Sequence, residues 1–133
     1  MSPIARFAVA SAAVLGVLFI GLETVRRGIQ AWWTTPVTIL EDYVAGILLI
    51  IAAVALLRSA RLSWPLMLAA GAYATGMMSS SLWGQVEAQL KGETWESQQV
   101  TVIAVKTLLW LLPLTLSVLS VRELHRSPAA VQE

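Results

Sequence analysis

The sequence predicts an all-α protein, a four-helix transmembrane bundle running up-down-up-down with short loops. Three observations carry this. Hydrophobic residues make up 57% of the 133 and charged residues 13%, against roughly 25% charged in an ordinary soluble domain. Mean hydropathy is +0.72. Four segments approach the ~20 mostly apolar residues that a spanning helix requires. A soluble bundle needs a charged face on every helix, and this chain carries too few charges for four.

The first span is Phe7 to Leu22, uncharged and extended across Arg6 by Ile4 and Ala5. Arg6 ahead of an apolar run has the look of a secretory leader. The following GLETVRRG offers no small-x-small cleavage site, so the segment reads as an uncleaved helix. Tyr43 to Leu57 holds 15 uncharged residues, too few to cross alone, so the second span borrows its first turn from Thr38 to Asp42. Leu62 to Val86 is uncharged over 25 residues, and Gln99 to Val121 is interrupted by Lys106 alone. The spans fall near 4–25, 36–58, 63–88 and 98–122, in one domain of residues 1–126 with a flexible tail at 127–133.

Composition excludes several chemistries. With no cysteine there is no disulfide framework and no thiolate site. A single histidine, His125, argues against a histidine-ligated metal or haem, so no metal and no cofactor are expected. A net charge of +1 provides no basic field for nucleic acid. Met77 and Met78 read as packing filler. Ser79, Ser80 and Ser81 have no nearby histidine to activate a nucleophile.

Orientation follows from the basic residues of the short loops. Arg6, Arg58, Arg61, Arg122 and Arg126 fall on the side of the termini, and Arg26, Arg27 and Lys91 on the other. Five against three places both termini in the cytoplasm, with a bacterial inner (plasma) membrane as the expected location. Trp32, Trp33, Trp64, Trp83 and Trp95 all stand near span ends, where indoles anchor at the headgroup level.

The second span poses the chemical question. TILEDYVAGILLIIAAVALLR opens with two adjacent carboxylates, Glu41 and Asp42. A helix start explains part of this, with either Thr35 capping ahead of Pro36 or Thr38 and Glu41 forming a capping box. Length places both acids about one turn inside the membrane boundary. On a helical wheel Ala45, Gly46, Ala52 and Ala53 share a small-residue face flanked by the two acids, with Tyr43, Ile47, Ile50 and Val54 opposite. Small residues mark helix contacts in membranes. The same criterion points inward for Ala5, Ala12, Gly16, Glu23 and Arg27 of the first span. In the third it selects Ala69, Ala72, Tyr73, Gly76, Ser79, Ser80 and Trp83. In the fourth, Gln99, Lys106, Pro113 and Ser120 recur every seven residues, which keeps one stripe facing its neighbours. Pro113 is expected to kink that span.

Asp42 and Lys106 enter their spans from the same side and to similar depth, so one polar cluster is expected in the outer half of the bundle. Its members are Glu23, Glu41, Asp42, Tyr43, Ser79, Ser80 and Lys106. Pairing Lys106 with Asp42 or Glu41 removes most of the cost of a membrane-embedded charge. In size and helix count the chain is similar to the small multidrug-resistance transporters, whose first helix carries a membrane-embedded glutamate. Here Glu23 stands at the end of the first span, and no functional residue is carried over. The reading is a non-enzymatic accessory or assembly subunit held together by the acid–lysine cluster. Its rivals are a small oligomeric transporter or ligand-binding bundle using that cluster, and a membrane enzyme acting on lipid or quinone. The bilayer itself is the first partner, with a homo-oligomer or a larger membrane complex beyond it.

Overall fold

A computed structural model describes residues 1–94 and 98–126, with backbone alone for Arg27 and Ala31. Trp95 and the tail at 127–133 lie outside the described residues. All elements among the described residues are helices: α1 (Pro3–Arg27), α2 (Ala31–Thr34), α3 (Pro36–Leu57), α4 (Ser63–Leu90) and α5 (Gln99–Arg126). The four long helices match the predicted spans to within a few residues. The four-residue α2, within the first connection, was not anticipated.

Local chemistry fixes the ends. Ser2 accepts the Ala5 amide through its hydroxyl at 3.1 Å, and Pro3 follows at the first helical position, where its missing N–H costs nothing. Of the two possible starts for α3, the chain takes Thr35 with Pro36 behind it. Thr38 and Glu41 therefore lie inside the helix. The ends of α3 and α4 share a device: Ala60 N–H bonds Ala55 O and Glu93 N–H bonds Ala88 O, each across a residue of positive φ. Such six-to-one closures satisfy carbonyls that the helix leaves open. Gly92 (φ 72°) fills that position after α4 without strain, and Ser59 (φ 52°) fills it after α3 against the left-handed penalty of a residue with a Cβ.

Helices α1, α3, α4 and α5 pack in a cycle, α1 on α3, α3 on α4, α4 on α5 and α5 on α1. Their shared core is built from Ala8, Ala12 and Leu15 of α1, Leu49 and Ala52 of α3, Met67 and Ala74 of α4, and Leu116 of α5. Small side chains let backbones approach. A Cβ on Gly16 would stand 2.8 Å from Gly46 O, and one on Gly46 would stand 2.7 Å from Gly16 O. The two glycines are thus the point where α1 and α3 touch through their main chains. The opposite faces stay apolar and exposed, as at Val14, Val17, Ile47, Ile51, Leu108 and Val118. Among the described residues three helices are long and apolar enough to cross a membrane: α1 over Pro3–Arg26, α3, and α5. Helix α4 is as long as α5, but it has no stretch as apolar as those of the other three, with Thr75, Ser79, Ser80 and Ser81 in its middle.

The face expected of α3 is the one that packs: Ala45, Gly46, Ala52 and Ala53 are buried, and Ile47 and Val54 are exposed. Ile50 departs from expectation, since its Cγ1 lies 2.7 Å from where a Gly16 Cβ would be. Helix α4 requires a correction. Ala69, Ala72, Tyr73, Gly76, Ser80 and Trp83 are exposed, and a Cβ on Gly76 would meet nothing within 4 Å. The packed face runs through Met67, Ala70, Gly71, Ala74, Met78, Leu82 and Gln85. Gly71 decides this orientation. Its missing side chain admits the Pro113 carbonyl and the Ser117 hydroxyl of α5, which would stand 2.9 and 2.6 Å from a Cβ there. Helix α5 runs unbroken through a buried Pro113, and the seven-residue stripe faces inward at Gln99, Pro113 and Ser120.

Candidate functional site: a polar cavity at one end of the helix cycle

The C-terminal ends of α1 and α4 and the N-terminal ends of α3 and α5 lie together, around a cavity of about 610 Å³. Each long helix contributes through helical spacing. On α1, Phe19, Leu22, Glu23 and Arg26 recur at three- and four-residue steps, which share a face. Met77, Ser81 and Gln85 form a four-residue row on α4, and Val102, Lys106 and Leu109 follow at steps of four and three on α5. Helix α3 adds Thr38, Glu41 and Asp42 from its first two turns.

Of the seven residues read from the sequence as one cluster, Glu23, Glu41, Asp42, Ser80 and Lys106 line this cavity. The other two are engaged elsewhere. Tyr43 and Thr24 are joined through their hydroxyls at 2.5 Å. Thr24 has a single O–H, which donates to Ile20 O at 2.7 Å, so Tyr43 is the donor. The Tyr43 ring also packs edge-on against Trp32, with centroids 5.2 Å apart. Ser79 accepts the Trp110 indole N–H at 2.9 Å while donating to Thr75 O at 2.8 Å. Both residues hold helices together: Tyr43 ties α3 to α1, and Ser79 ties α4 to α5.

The residue that sequence reasoning missed is Gln85. It is 2% exposed, and its Oε1 accepts the Lys106 ammonium at 2.9 Å. Its Nε2 is buried and has no hydrogen-bond partner among the described residues. An uncharged glutamine near the end of a long uncharged run carries little sequence signal. Its four-residue spacing from Ser81 was the one available clue. Arg26, 3.9 Å from Glu23, also joins the wall.

The wall has three characters. Lys106 and Gln85 present hydrogen-bond donors from α5 and α4. Glu41 and Asp42 present carboxylates from α3, Glu41 exposed and Asp42 half-buried. Phe19, Met77, Met78 and Leu109 supply an apolar surface between helices. A volume of this size is that of a small-molecule site, where few polar groups on an apolar wall fix orientation. Among the described residues no three His, Cys, Asp or Glu side chains are grouped as a metal site requires.

Fold and cavity together define a small all-helical protein with three helices apolar enough for a membrane and a charged, half-apolar cavity at one end. Comparison with protein-family models, with curated proteins and with solved structures finds no match.

Proposed function

We propose that the protein is a non-enzymatic integral membrane protein whose four long helices span the bilayer up-down-up-down, and that its end cavity binds a small amphiphilic molecule. The single observation behind this reading is the cavity itself. It gathers Glu41, Asp42, Gln85 and Lys106 from three helices onto one wall that is otherwise largely apolar. Lys106 pairs there with Asp42, and the pair holds the binding wall in register. A purely structural ion pair needs no cavity of this volume beside it.

Helix α4 belongs in the membrane despite its hydroxyls. At 1.5 Å per residue its 28 residues reach about 42 Å, beyond the ~30 Å hydrocarbon core. Thr75 donates to Gly71 O and Ser79 to Thr75 O, so these hydroxyls return to the helix's own backbone and do not demand water. With the basic bias of the loops, the cavity end faces away from the cytoplasm.

The test is native mass spectrometry of the full chain taken from membranes in a mild detergent. A bound small molecule is expected on the wild type and absent from Ser81→Trp, which fills the cavity from an exposed position. An empty wild type, or a molecule equally retained by Ser81→Trp, would refute the reading. A second role, as an accessory or assembly subunit, is favoured by the exposed small-residue face of α4, where Ala69, Ala72 and Gly76 await a closely packed neighbour. Co-purification of another membrane protein lost in Gly76→Leu, at a position where an added Cβ meets nothing within 4 Å, tests that role.

A further inference from the structure

We propose that the cavity takes a glycerolipid from the surrounding bilayer, sideways between α1 and α5, and that an acyl-ester carbonyl of that lipid accepts the Gln85 Nε2 amide. This inference rests on the reading of the cavity as a ligand site and adds the ligand's chemical class and its route. Its starting point is the Gln85 side chain, which lines the cavity and is 2% exposed. One of its polar atoms meets the Lys106 ammonium at 2.9 Å. Lysine only donates, so that atom is the oxygen. Nε2 is thereby fixed as the other atom, and it is buried with no hydrogen-bond partner among the described residues. Buried donors are normally satisfied, so the place asks for one acceptor.

A neutral acceptor suffices. The charges of the wall already have groups of the chain beside them. Glu23 lies 3.9 Å from Arg26, Lys106 is held by Gln85 Oε1 and, on the pairing proposed above, by Asp42, and Glu41 is exposed. A charged ligand would have to compete with these contacts. What the chain leaves open is an uncharged N–H, and a carbonyl oxygen matches it.

Depth narrows the kind of carbonyl. Gln85 stands five residues before the end of α4, about 7.5 Å at 1.5 Å per residue. Centred on a hydrocarbon core of ~30 Å, a helix of about 42 Å overhangs by about 6 Å at each end. The amide therefore lies at the boundary between hydrocarbon and headgroups, the level of the acyl esters of a glycerolipid.

The route follows from the packing. Of the four contacts that close the helix cycle, that of α5 on α1 is the thinnest. The exposed apolar residues of the cavity wall stand on these two helices, Leu22 on α1 and Val105 on α5. They lie five residues from the end of α1 and six from the start of α5, close to the depth of Gln85. Arg26, Thr38 and Thr101, exposed on the same wall within two residues of helix ends, are polar. The cavity thus has a polar rim at its end and an apolar opening at its side. An acyl chain passing between Leu22 and Val105 stays in apolar surroundings as far as Phe19, Met78 and Leu109, and methionine adapts to irregular aliphatic shapes.

The experiment measures lipid binding to the full chain in mild detergent by native mass spectrometry. The probes are diacyl and dialkyl (ether-linked) phosphatidylglycerol of matched chain length, the same two forms of phosphatidylethanolamine, and a short-chain benzoquinone. The dialkyl lipids keep headgroup and chains and lose only the ester carbonyls. Each diacyl lipid is expected to bind about fivefold or more tightly than its dialkyl counterpart, with a smaller difference between the two headgroups. Gln85→Met, of similar volume, and Gln85→Glu, which keeps an acceptor for Lys106 but loses the donor, should both abolish the ester preference with helical content unchanged. Leu22→Trp combined with Val105→Trp should slow uptake of added diacyl lipid, and Thr38→Trp at the polar rim should not. Equal binding of diacyl and dialkyl forms, or an ester preference that survives both Gln85 variants, overturns the inference. Uptake slowed by Thr38→Trp and not by the Leu22 and Val105 pair overturns the side route. A quinone that displaces the lipid in a Gln85-dependent way overturns the ester but leaves the cavity as a ligand site. Binding of no probe in a form that Ser81→Trp abolishes, with no endogenous molecule retained, removes both.

Discussion

Gly46→Ala puts one methyl group at the point where α1 and α3 meet through their backbones. The new Cβ would stand 2.7 Å from Gly16 O and 2.7 Å from Ile20 Cγ1. Ile20 is β-branched and has few rotamers open to it in a helix, and a helical carbonyl has no freedom to turn aside. Ordinary van der Waals contact begins near 3.4 Å, so the helices must part by about 0.7 Å along this line. A gap of that size forfeits roughly a quarter to a half of each neighbouring dispersion contact. Overpacking of this kind costs about 1–3 kcal/mol, against a helix-propensity gain of up to about 1 kcal/mol for Ala over Gly. The net expectation is a loss of about 1–2 kcal/mol.

Gly76→Ala is the control, since its Cβ would meet nothing within 4 Å. It should be neutral or slightly stabilising by the same propensity. The assay is unfolding in a mild detergent titrated with sodium dodecyl sulfate and followed by circular dichroism. The midpoint should fall for Gly46→Ala and stay or rise for Gly76→Ala. Gly16→Ala should fall similarly, because its Cβ would meet Gly46 O at 2.8 Å. The double variant should lose less than both singles together, since helices already separated by one methyl accommodate the second. Equal midpoints for Gly46→Ala and Gly76→Ala would refute the close contact, and strict additivity would refute its being shared.

Three further outcomes are expected. Gly71→Ala should destabilise the α4–α5 contact, and Ser117→Ala should rescue it only in part, because the Ser117 hydroxyl is removed while the Pro113 carbonyl remains 2.9 Å from the new Cβ; full rescue or none in the same unfolding assay would count against that geometry. Lys106→Met removes the donor that Gln85 Oε1 accepts and, on the pairing proposed above, the counter-ion of Asp42. It should cost about 1.5–3 kcal/mol, the range for a hydrogen bond to a charged group, and adding Asp42→Asn should recover part of it; a double variant worse than the single would show that the two charges do not compensate each other. In intact cells, an impermeant thiol reagent should modify a cysteine placed at Gly92 and spare one at Ser59, with the reverse pattern inverting the proposed orientation.

What the sequence disclosed depended on whether a position had one plausible reading or two. The start of α3 was legible as one of two alternatives, because Thr35–Pro36 carries chemistry that a helix start uses. The inward stripe of α5 was legible because polar or conformationally special residues recur there every seven positions among leucines and valines, so the exceptional face stood out. Helix α3 was legible for the converse reason, with alanine and glycine on one side and bulky residues on most of the other. Ile50 misled because it falls opposite the small-residue face on the wheel. Against Gly16 a branched side chain fills the space that the glycine leaves.

Helix α4 has small residues on two faces, and smallness alone cannot choose between them. Ala69, Ala72 and Gly76 make one row, and Ala70, Gly71 and Ala74 another. The choice is made by the partner surface: only Gly71 is required to admit a backbone carbonyl and a hydroxyl from α5, and only the second row carries Met67 and Met78 into the core. That information resides in the neighbouring helix, so no reading of α4 by itself reaches it. The same rotation explains the missed glutamine. Turning α4 onto Gly71 swings Gln85 inward to meet Lys106, and leaves Trp83 and the first alanine row exposed. The candidate cluster was therefore legible for the charged residues, whose place inside an otherwise apolar span is too costly to be accidental. It was not legible for the neutral amide beside them, whose significance lies in the one hydrogen bond it makes and the one it leaves unmade.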